Sequence, residues 1–541
     1  MDLANQTNRP SHTTRPSLFR AGQRRRAKAP KVRTGCRTCN ISRVRLCRAR
    51  RVKCDEAQPS CKRCISTGRK CDGYEPLPEI KPIRFVTLMH VTYPPNEVRS
   101  FQYFQEKTLS QLFTFIHEDI WTSHIVQTAN MDQGIWHSVI ALSSFHENFV
   151  RHGYSGPQNH DRFALKQYNM SIQGILGSQR NSSNAHVHLI SCILFICIEV
   201  LRGRTLTVLQ LLVTGYAILK EERMRSCCAY TESSGPSACD RDALFAAADV
   251  FLSRIAAQAY MLVKGVDPNL ATMVAEILDF EQFAWKERPT FHTLNQAQHA
   301  LSNLRLELET YNQAGVGMVP VKLRWWVTAF EEFKKDYADQ LTTQEGKRGL
   351  ALLELQRLYV GVETTVFDGP PGAEEDPLRW DAHTDAFREM IRHAEAATDA
   401  DSGSQHDTVA ATSTRKGPQF HMHTGVVPVL YGIIHKCRDP AIRRRAIALM
   451  TRSQRLEGVW DSQVVLAVAM RAMAVEEQGR TPTSSAEIPA AARVRRIAVL
   501  PVREGEQGQT NPKSYVVGYE IDKTWAWEQA DNIMDRRASD R

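Results

Sequence analysis

Seven of the chain's thirteen cysteines fall between Cys36 and Cys71, while Cys192, Cys197, Cys227, Cys228, Cys239 and Cys437 are scattered without regular spacing. That distribution argues against a chain-wide disulfide framework. It points instead to a local metal site in a reducing compartment. The spacing is regular downstream, where Cys54-x6-Cys61-x2-Cys64-x6-Cys71 holds one tight pair between two single cysteines, and Cys36-x2-Cys39 supplies a second tight pair. A C-x2-C at the start of a helix directs two thiolates to one point, where first-turn N–H groups stabilise their charge. One zinc takes four such ligands. Six thiolates satisfy two zinc ions only if two sulfurs bridge, and surrounding Arg and Lys residues offset the net negative core.

The stretch 35–55, GCRTCNISRVRLCRARRVKCD, carries a seventh cysteine, Cys47. Removing Asn40–Cys47 or Cys39–Leu46 leaves the same compact string, GCRTCRARRVKCD, so Cys47 competes with Cys39 for the role of ligand. With Cys39 retained, fourteen residues precede Cys54. If helical, the eight extra residues add about 12 Å, enough to carry Cys54 away from the metal. With Cys47 retained, the x6 spacing around RARRVK survives but the first two ligands separate. Looping out the insert costs only about 0.7 kcal/mol in closure entropy. The larger cost is lost helix capping and misaimed arginines, and an in-frame error in assigning the gene's introns would account for the insert.

These residues resemble the fungal binuclear zinc cluster (six-cysteine) transcription factors. The matching string is GCRTC…RARRVKCDEAQPSCKRCISTGRKCDGY, with Pro59 between the two halves. The resemblance implies a zinc-dependent DNA-binding module holding two zinc ions on Cys36, Cys39, Cys54, Cys61, Cys64 and Cys71. It also implies that the helix after the second cysteine enters the major groove and reads a CGG triplet. The basic run there is Arg48, Arg50, Arg51 and Lys53. Arg50 and Arg51 fall where the family places base-reading residues, and Arg can donate in a fork to O6 and N7 of guanine. Lys62, Arg63, Arg69 and Lys70 are expected to contact the phosphate backbone or to remain solvated.

Charge separates this module from the rest. Residues 1–75 carry 20 Lys/Arg against 5 Asp/Glu, whereas the other 466 carry 49 against 54. A basic module on a mildly acidic body suits a partner bearing phosphates, here double-stranded DNA. Arg24, Arg25, Arg26 and Lys28 form a candidate nuclear import signal, so the expected location is the nucleus. The N-terminus lacks the apolar core of a secretory signal. The most apolar run, Val187–Leu201, is shorter than the roughly 20 residues of a membrane span. It reads as a buried helix, and no membrane association is expected.

The fold class expected is mainly α: a small N-terminal zinc module followed by a large all-helical regulatory domain. Residues 1–34 read as a disordered basic arm, 35–74 as the zinc module and 75–97 as a Pro-bearing linker. Residues 98–475 read as the helical domain, with a flexible insertion at 397–417, and 476–541 as a C-terminal segment. Ile135, Val139, Leu142 and His146 share one helix face, as do Leu206, Leu209, Val213 and Tyr216. Loops are expected at 176–185 and 229–241, with a helix opening at Asp242 and reaching about Val263. Asp439-Pro440 and Asp461-Ser462 read as helix starts. Val494–Leu500 and Tyr515–Ile521 read as paired strands. Pro94-Pro95 would interrupt any coiled coil beside the cluster.

The body resembles the helical domain that accompanies this cluster in many fungal regulators. The strings are ISCILFICIEVLRG (190–203), GYAIL (215–219) and HKCRDPAIRRRAIAL…EGVWDS (435–462). The run Arg204–Val213 is more apolar than the family leads one to expect. The resemblance implies regulation of RNA polymerase II genes, metabolic or secondary-metabolite genes among them, with a homodimer and transcriptional co-regulators as candidate partners. The alternative is a helical interaction regulator whose damaged zinc module does not bind DNA. No catalytic constellation is visible and an enzyme is not expected. His146-Glu147 lacks a second His at position 150, Gly315 and Gly317 lack a third glycine, and His421, His423 and Cys227-Cys228 read as packing or surface residues.

Overall fold

The computed structural model describes residues 62–66, 68, 70–71 and 93–529, apart from the segments 113–118, 154–160, 179–184, 229–235, 264–267, 279–286, 311–316, 370–375, 400–415 and 502–514. The chain divides into two compact units, Met1–Thr92 and Tyr93–Arg541. In the first, the described element is a five-residue helix, α1 (Lys62–Ser66).

The second unit opens on Pro95, where α2 (Pro95–Tyr103) begins. Proline fits this first helical position because its missing N–H would find no partner there. The helix therefore starts three residues before the end of the expected linker. It continues through a π turn (Phe104–Thr108) and a last α turn (Leu109–Leu112). A first group of helices follows: α3 (Asp119–Met131), α4 (Gln133–His152), α5 (Arg162–Ser178), α6 (Ala185–Leu201), α7 (Thr205–Cys228), α8 (Pro236–Val263) and α9 (Pro268–Ile277). They share one core. Asp132 caps α4 by accepting from Ile135 N at 3.0 Å, and Ile135, Val139, Leu142 and His146 are all buried. The α6 helix is apolar all round and is buried on nearly every side, as such a sequence requires.

Two expectations shift here. On α7 the buried stripe runs through Val208, Leu209, Leu212 and Leu219, while Val213 is exposed. The close helix contact forms where α7 has no side chain. A Cβ on Gly215 would lie 2.9 Å from Leu252 and 3.2 Å from Cys192 Sγ. The α8 helix begins at Pro236 rather than Asp242, so the second half of the expected 229–241 loop is helical. Ala243–Val263 is long and apolar enough to cross a membrane by length and composition. Its Ala248, Phe251, Leu252, Ile255, Ala256 and Ala259 nevertheless fill the first core, which makes it a core helix.

A second group comprises α10 (Leu294–Thr310), α11 (Val319–Asp336), the turn Ala338–Leu341, α12 (Gln344–Phe367), α13 (Thr384–Asp399), α14 (Val427–Lys436), α15 (Pro440–Arg452) and α16 (Ser462–Glu477). The α12 helix serves two cores. Leu353 and Val360 meet Trp326, Phe330 and Phe333, whereas Leu352, Leu355 and Tyr359 join Phe387, Ile433 and Leu466. The expected caps are in place: Asp439 accepts from Ala441 N and Ile442 N at 3.0 Å, and Asp461 accepts from Gln463 N at 2.9 Å.

The body is mainly α, but "all-helical" needs correction for residues 98–475, because a three-stranded sheet is built into them, and a second sheet follows where paired strands were expected. In the first, β1 (Lys416–His421) pairs in parallel with β2 (Ser453–Glu457), which turns back antiparallel into β3 (Trp460–Asp461). Phe420 and Leu456 enter the first core. In the second, β4 (Val494–Pro501) and β5 (Tyr515–Ile521) pair antiparallel, and β6 (Thr524–Gln529) adds a third strand. Asp522 and Lys523, both at positive φ, make the two-residue turn into β6.

Candidate functional site

The expected zinc and DNA site lies in the first unit. Of its residues, Cys36, Cys39, Cys47, Cys54, Cys61, Arg48, Arg50, Arg51, Lys53, Arg24, Arg25, Arg26 and Lys28 lie outside the described residues. Cys64 and Cys71 are described. Cys64 sits on α1 with 2% exposure, while its neighbours Lys62, Ile65 and Ser66 are exposed. One side of this single helical turn thus presents a thiol inward and the other presents a cation to solvent. Gly68 follows at φ 65°, its N–H donating to Ile65 O at 3.1 Å, and turns the chain toward the half-buried Cys71.

Among the described residues, no three His, Cys, Asp or Glu side chains gather as a metal site. The His146-Glu147 pair is occupied by structural bonds. His146 is held at about 4 by burial and bonds Thr108 Oγ1 and Gln111 Oε1, each at 3.0 Å. Glu147 accepts from Arg99 at 2.9 and 2.5 Å, which keeps its carboxyl below the usual range. His421 and His423 stack with ring centroids 4.0 Å apart, and burial holds His423 well below its ordinary value. Cys192 is pushed up to about 12 by burial, which suits packing and not nucleophilic attack. The side chains of Cys227 and Cys228 lie outside the described ones.

Among the buried charges of the body are two carboxylates that sequence reasoning missed. Glu457, at the end of β2, accepts from the backbone N–H of Gly425, Val426 and Val427 at 3.0, 3.2 and 2.9 Å, and so caps α14 from thirty residues away. Burial pushes its carboxyl up to about 7, against the opposing pull of Arg455 and those N–H groups. Gly425 is required there, since a Cβ would sit 2.5 Å from the carboxylate. Glu476 on α16 accepts from Arg438 at 2.7 Å, from Arg443, and from Val494 N at 2.8 Å. All three side chains are almost fully buried. No sequence signal marks either carboxylate, because the partners belong to other elements.

A cavity of about 70 Å³ lies between α8, α10 and α12, bordered by Gln258, Gln298, Gln356, Tyr359 and Trp460. Gln258 donates to Met422 O at 3.2 Å, while Gln298 and Gln356 both donate to Thr424 O at 2.9 and 3.0 Å. The three amides fasten the link between β1 and α14. The space has room for a few waters and falls below the several hundred Å³ of a small-molecule site.

The strings that carry the resemblance in the body have structural explanations. In ISCILFICIEVLRG, Arg202 donates to Glu199 at 2.7 Å, and Gly203 at φ 70° ends α6 with Arg204 N donating to Glu199 O at 2.9 Å. In HKCRDPAIRRRAIAL, Arg438 and Arg443 belong to the buried cluster around Glu476. The apolar run 204–213 is explained by the core, which takes Val208, Leu209 and Leu212.

Comparison with known proteins agrees with this picture. Residues 99–249, from α2 into α8, match the family described as the fungal specific transcription factor domain. The aspercryptin biosynthesis cluster-specific transcription regulator of Emericella nidulans is 26% identical, over 85% of this chain and 91% of its own. The transcription regulator lscL of Purpureocillium lilacinum is 28% identical over 33% of this chain and 48% of its own. A Zn(2)-C6 fungal-type transcription factor of Aspergillus fumigatus is 27% identical over 28% of this chain and 44% of its own. No solved structure matches the chain significantly. Residues 99–249 are thus similar to the fungal specific transcription factor domain, and the relatives named here are fungal transcription regulators.

Proposed function

We propose that this transcription regulator binds DNA in a zinc-dependent, sequence-specific manner through residues 35–74. Its sulfur ligands are Cys36, Cys39 (or Cys47), Cys54, Cys61, Cys64 and Cys71, which hold two zinc ions. Arg50 and Arg51 read guanines of CGG-type half-sites in the major groove, with Arg48 and Lys53 supporting them, while Lys62 and Lys70 contact phosphates. The protein acts in the nucleus on RNA polymerase II genes, with Arg24, Arg25, Arg26 and Lys28 directing import. Double-stranded DNA, transcriptional co-regulators and a second copy of the chain are its partners. A biosynthetic gene cluster is the target class suggested by the name of the Emericella relative. The observation that carries this reading is similarity to a transcription regulator along 85% of the chain, joined to the cysteine spacing and basic run of its N-terminal module.

The test is a gel shift of the full chain on CGG-containing duplexes, with metal content measured in parallel. Binding that is tight, lost with a zinc chelator and steeply weakened by salt supports the reading. A folded chain with no such binding overturns it in favour of a second reading, a helical interaction regulator with a damaged module. That alternative is motivated by the eight residues Asn40–Cys47. Deleting them then restores binding if the insert is the cause.

A further inference from the structure

The C-terminal sheet has two edges, and they are treated differently. The β4 edge has a register irregularity between Val494 and Arg496, two arginines and a terminal Pro501, and it packs against α8. These are the devices by which an edge avoids pairing. The β6 edge, TWAWEQ, has no Lys, Arg, Pro or Gly, and its pairing with β5 runs unbroken from Thr524 to Gln529. Among the described residues it pairs with β5 alone.

The two-residue turn fixes which backbone groups this edge presents. Ile521 and Thr524 flank Asp522-Lys523 as a hydrogen-bonded pair, so Thr524, Ala526 and Glu528 are directed at β5. The N–H and C=O groups of Trp525, Trp527 and Gln529 therefore point outward. The side chains of these three residues share the sheet face turned away from α16. There Trp525 and Trp527 stack with ring centroids 5.4 Å apart, and Trp527 is 48% exposed. Gly518 lies beneath, where a Cβ would come within 2.8 Å of the Trp527 ring. The strand's one acid, Glu528, is held by Arg471 at 3.0 and 2.5 Å.

We propose that β6 is the docking edge for a second copy of this chain, which adds antiparallel to make one continuous six-stranded sheet. A two-fold axis through Ala526 places Trp525 opposite Trp527 of the partner subunit and Thr524 opposite Glu528 of the partner subunit. In this register outward-facing backbone groups meet outward-facing ones, and the tryptophans stay on one face. The pairing is self-compatible in charge, since Glu528 is neutralised by Arg471. The arginine pair of β4 would face itself in the same arrangement. The surface gives a structural basis to the homodimer named above without depending on DNA binding, because its test contains no DNA.

The test is sedimentation velocity of the full chain over a concentration series. A reversible dimer is expected. Trp527→Lys places a charge on the edge and weakens the dimer by about tenfold or more, whereas Trp527→Phe retains it. Circular dichroism melting of each variant checks that the fold is kept. A monomer at every concentration overturns the proposal. So does a dimer indifferent to Trp527→Lys, which would form elsewhere. Dimerisation only after removal of residues 530–541 would show that the chain's own terminus occupies the edge, and it overturns the proposal as well.

Discussion

Glu457 carries opposing electrostatic demands at a single position. Three backbone N–H groups favour its charged form, while complete burial favours the neutral one and holds it near 7, against 4.5 for an unperturbed carboxyl. A carboxyl that binds its proton more tightly when folded contributes stability that is fully present below about pH 4.5 and is lost as the pH rises through about 7. Glu457→Gln keeps an accepting oxygen and removes the titration. Urea unfolding of the two proteins at several pH values should therefore show the wild type losing stability relative to the variant between those limits. A pH-independent difference would reject this. Glu476 makes a different prediction. Its removal as Glu476→Ala leaves Arg438 and Arg443 buried without their carboxylate, a loss of about 3–5 kcal/mol in denaturant unfolding. Arg444→Ala, exposed one position along from Arg443, should change stability by less than about 0.5 kcal/mol. Comparable effects at the two sites would show that the cluster is not integral to the fold.

At the scale of elements, the purpose proposed for arginine in the run RARRVK differs from its use in the helices of the body. In RARRVK the arginines are proposed to read bases. Arg50→Ala or Arg51→Ala should cost about 1–3 kcal/mol on a CGG duplex and relax base preference. Lys62→Ala should weaken all duplexes alike and reduce the salt slope by about one. Fluorescence anisotropy on matched and mutated duplexes separates the two outcomes, and uniform weakening at all three positions would leave no base reader among them. In IRRRAI, by contrast, Arg443 is buried against Glu476. The two strings look alike in composition because charge alone does not say which helix face is covered. Local signals were readable where a few neighbouring residues decide the outcome: Asp439-Pro440, Asp461-Ser462, the apolar α6 and the strands 494–500 and 515–521. The α7 face was misjudged at Val213 because Gly215, a residue with no side chain to weigh, is where α8 comes close.

For the whole molecule, the proposed metal and the core of the second unit can be probed separately. All nine tryptophans lie beyond residue 120, in the second unit, so their emission reports on that unit alone. Among its described residues no group of three metal-ligating side chains forms. A zinc chelator should abolish DNA binding while leaving the tryptophan-detected melting temperature unchanged. A shift of several degrees would mean that the body itself depends on the metal. The body's stability rests instead on cores joined by shared elements: α12 faces two of them, and Phe420 and Leu456 of the β1–β2 pair complete a third.

The residues alone specify where cysteines cluster, which stretch is most basic and that the body is mainly helical. These properties follow from spacing, charge and periodicity, all local in the chain. The tertiary structure decided the placement of Glu457 over the start of α14, the closure of Glu476 on two arginines, and the β1–β2–β3 sheet within a helical body. It also decided that, among the described residues, β6 pairs on one side only. Each depends on groups tens of residues apart meeting where water is excluded or a strand ends, and neither propensity nor periodicity records such a meeting.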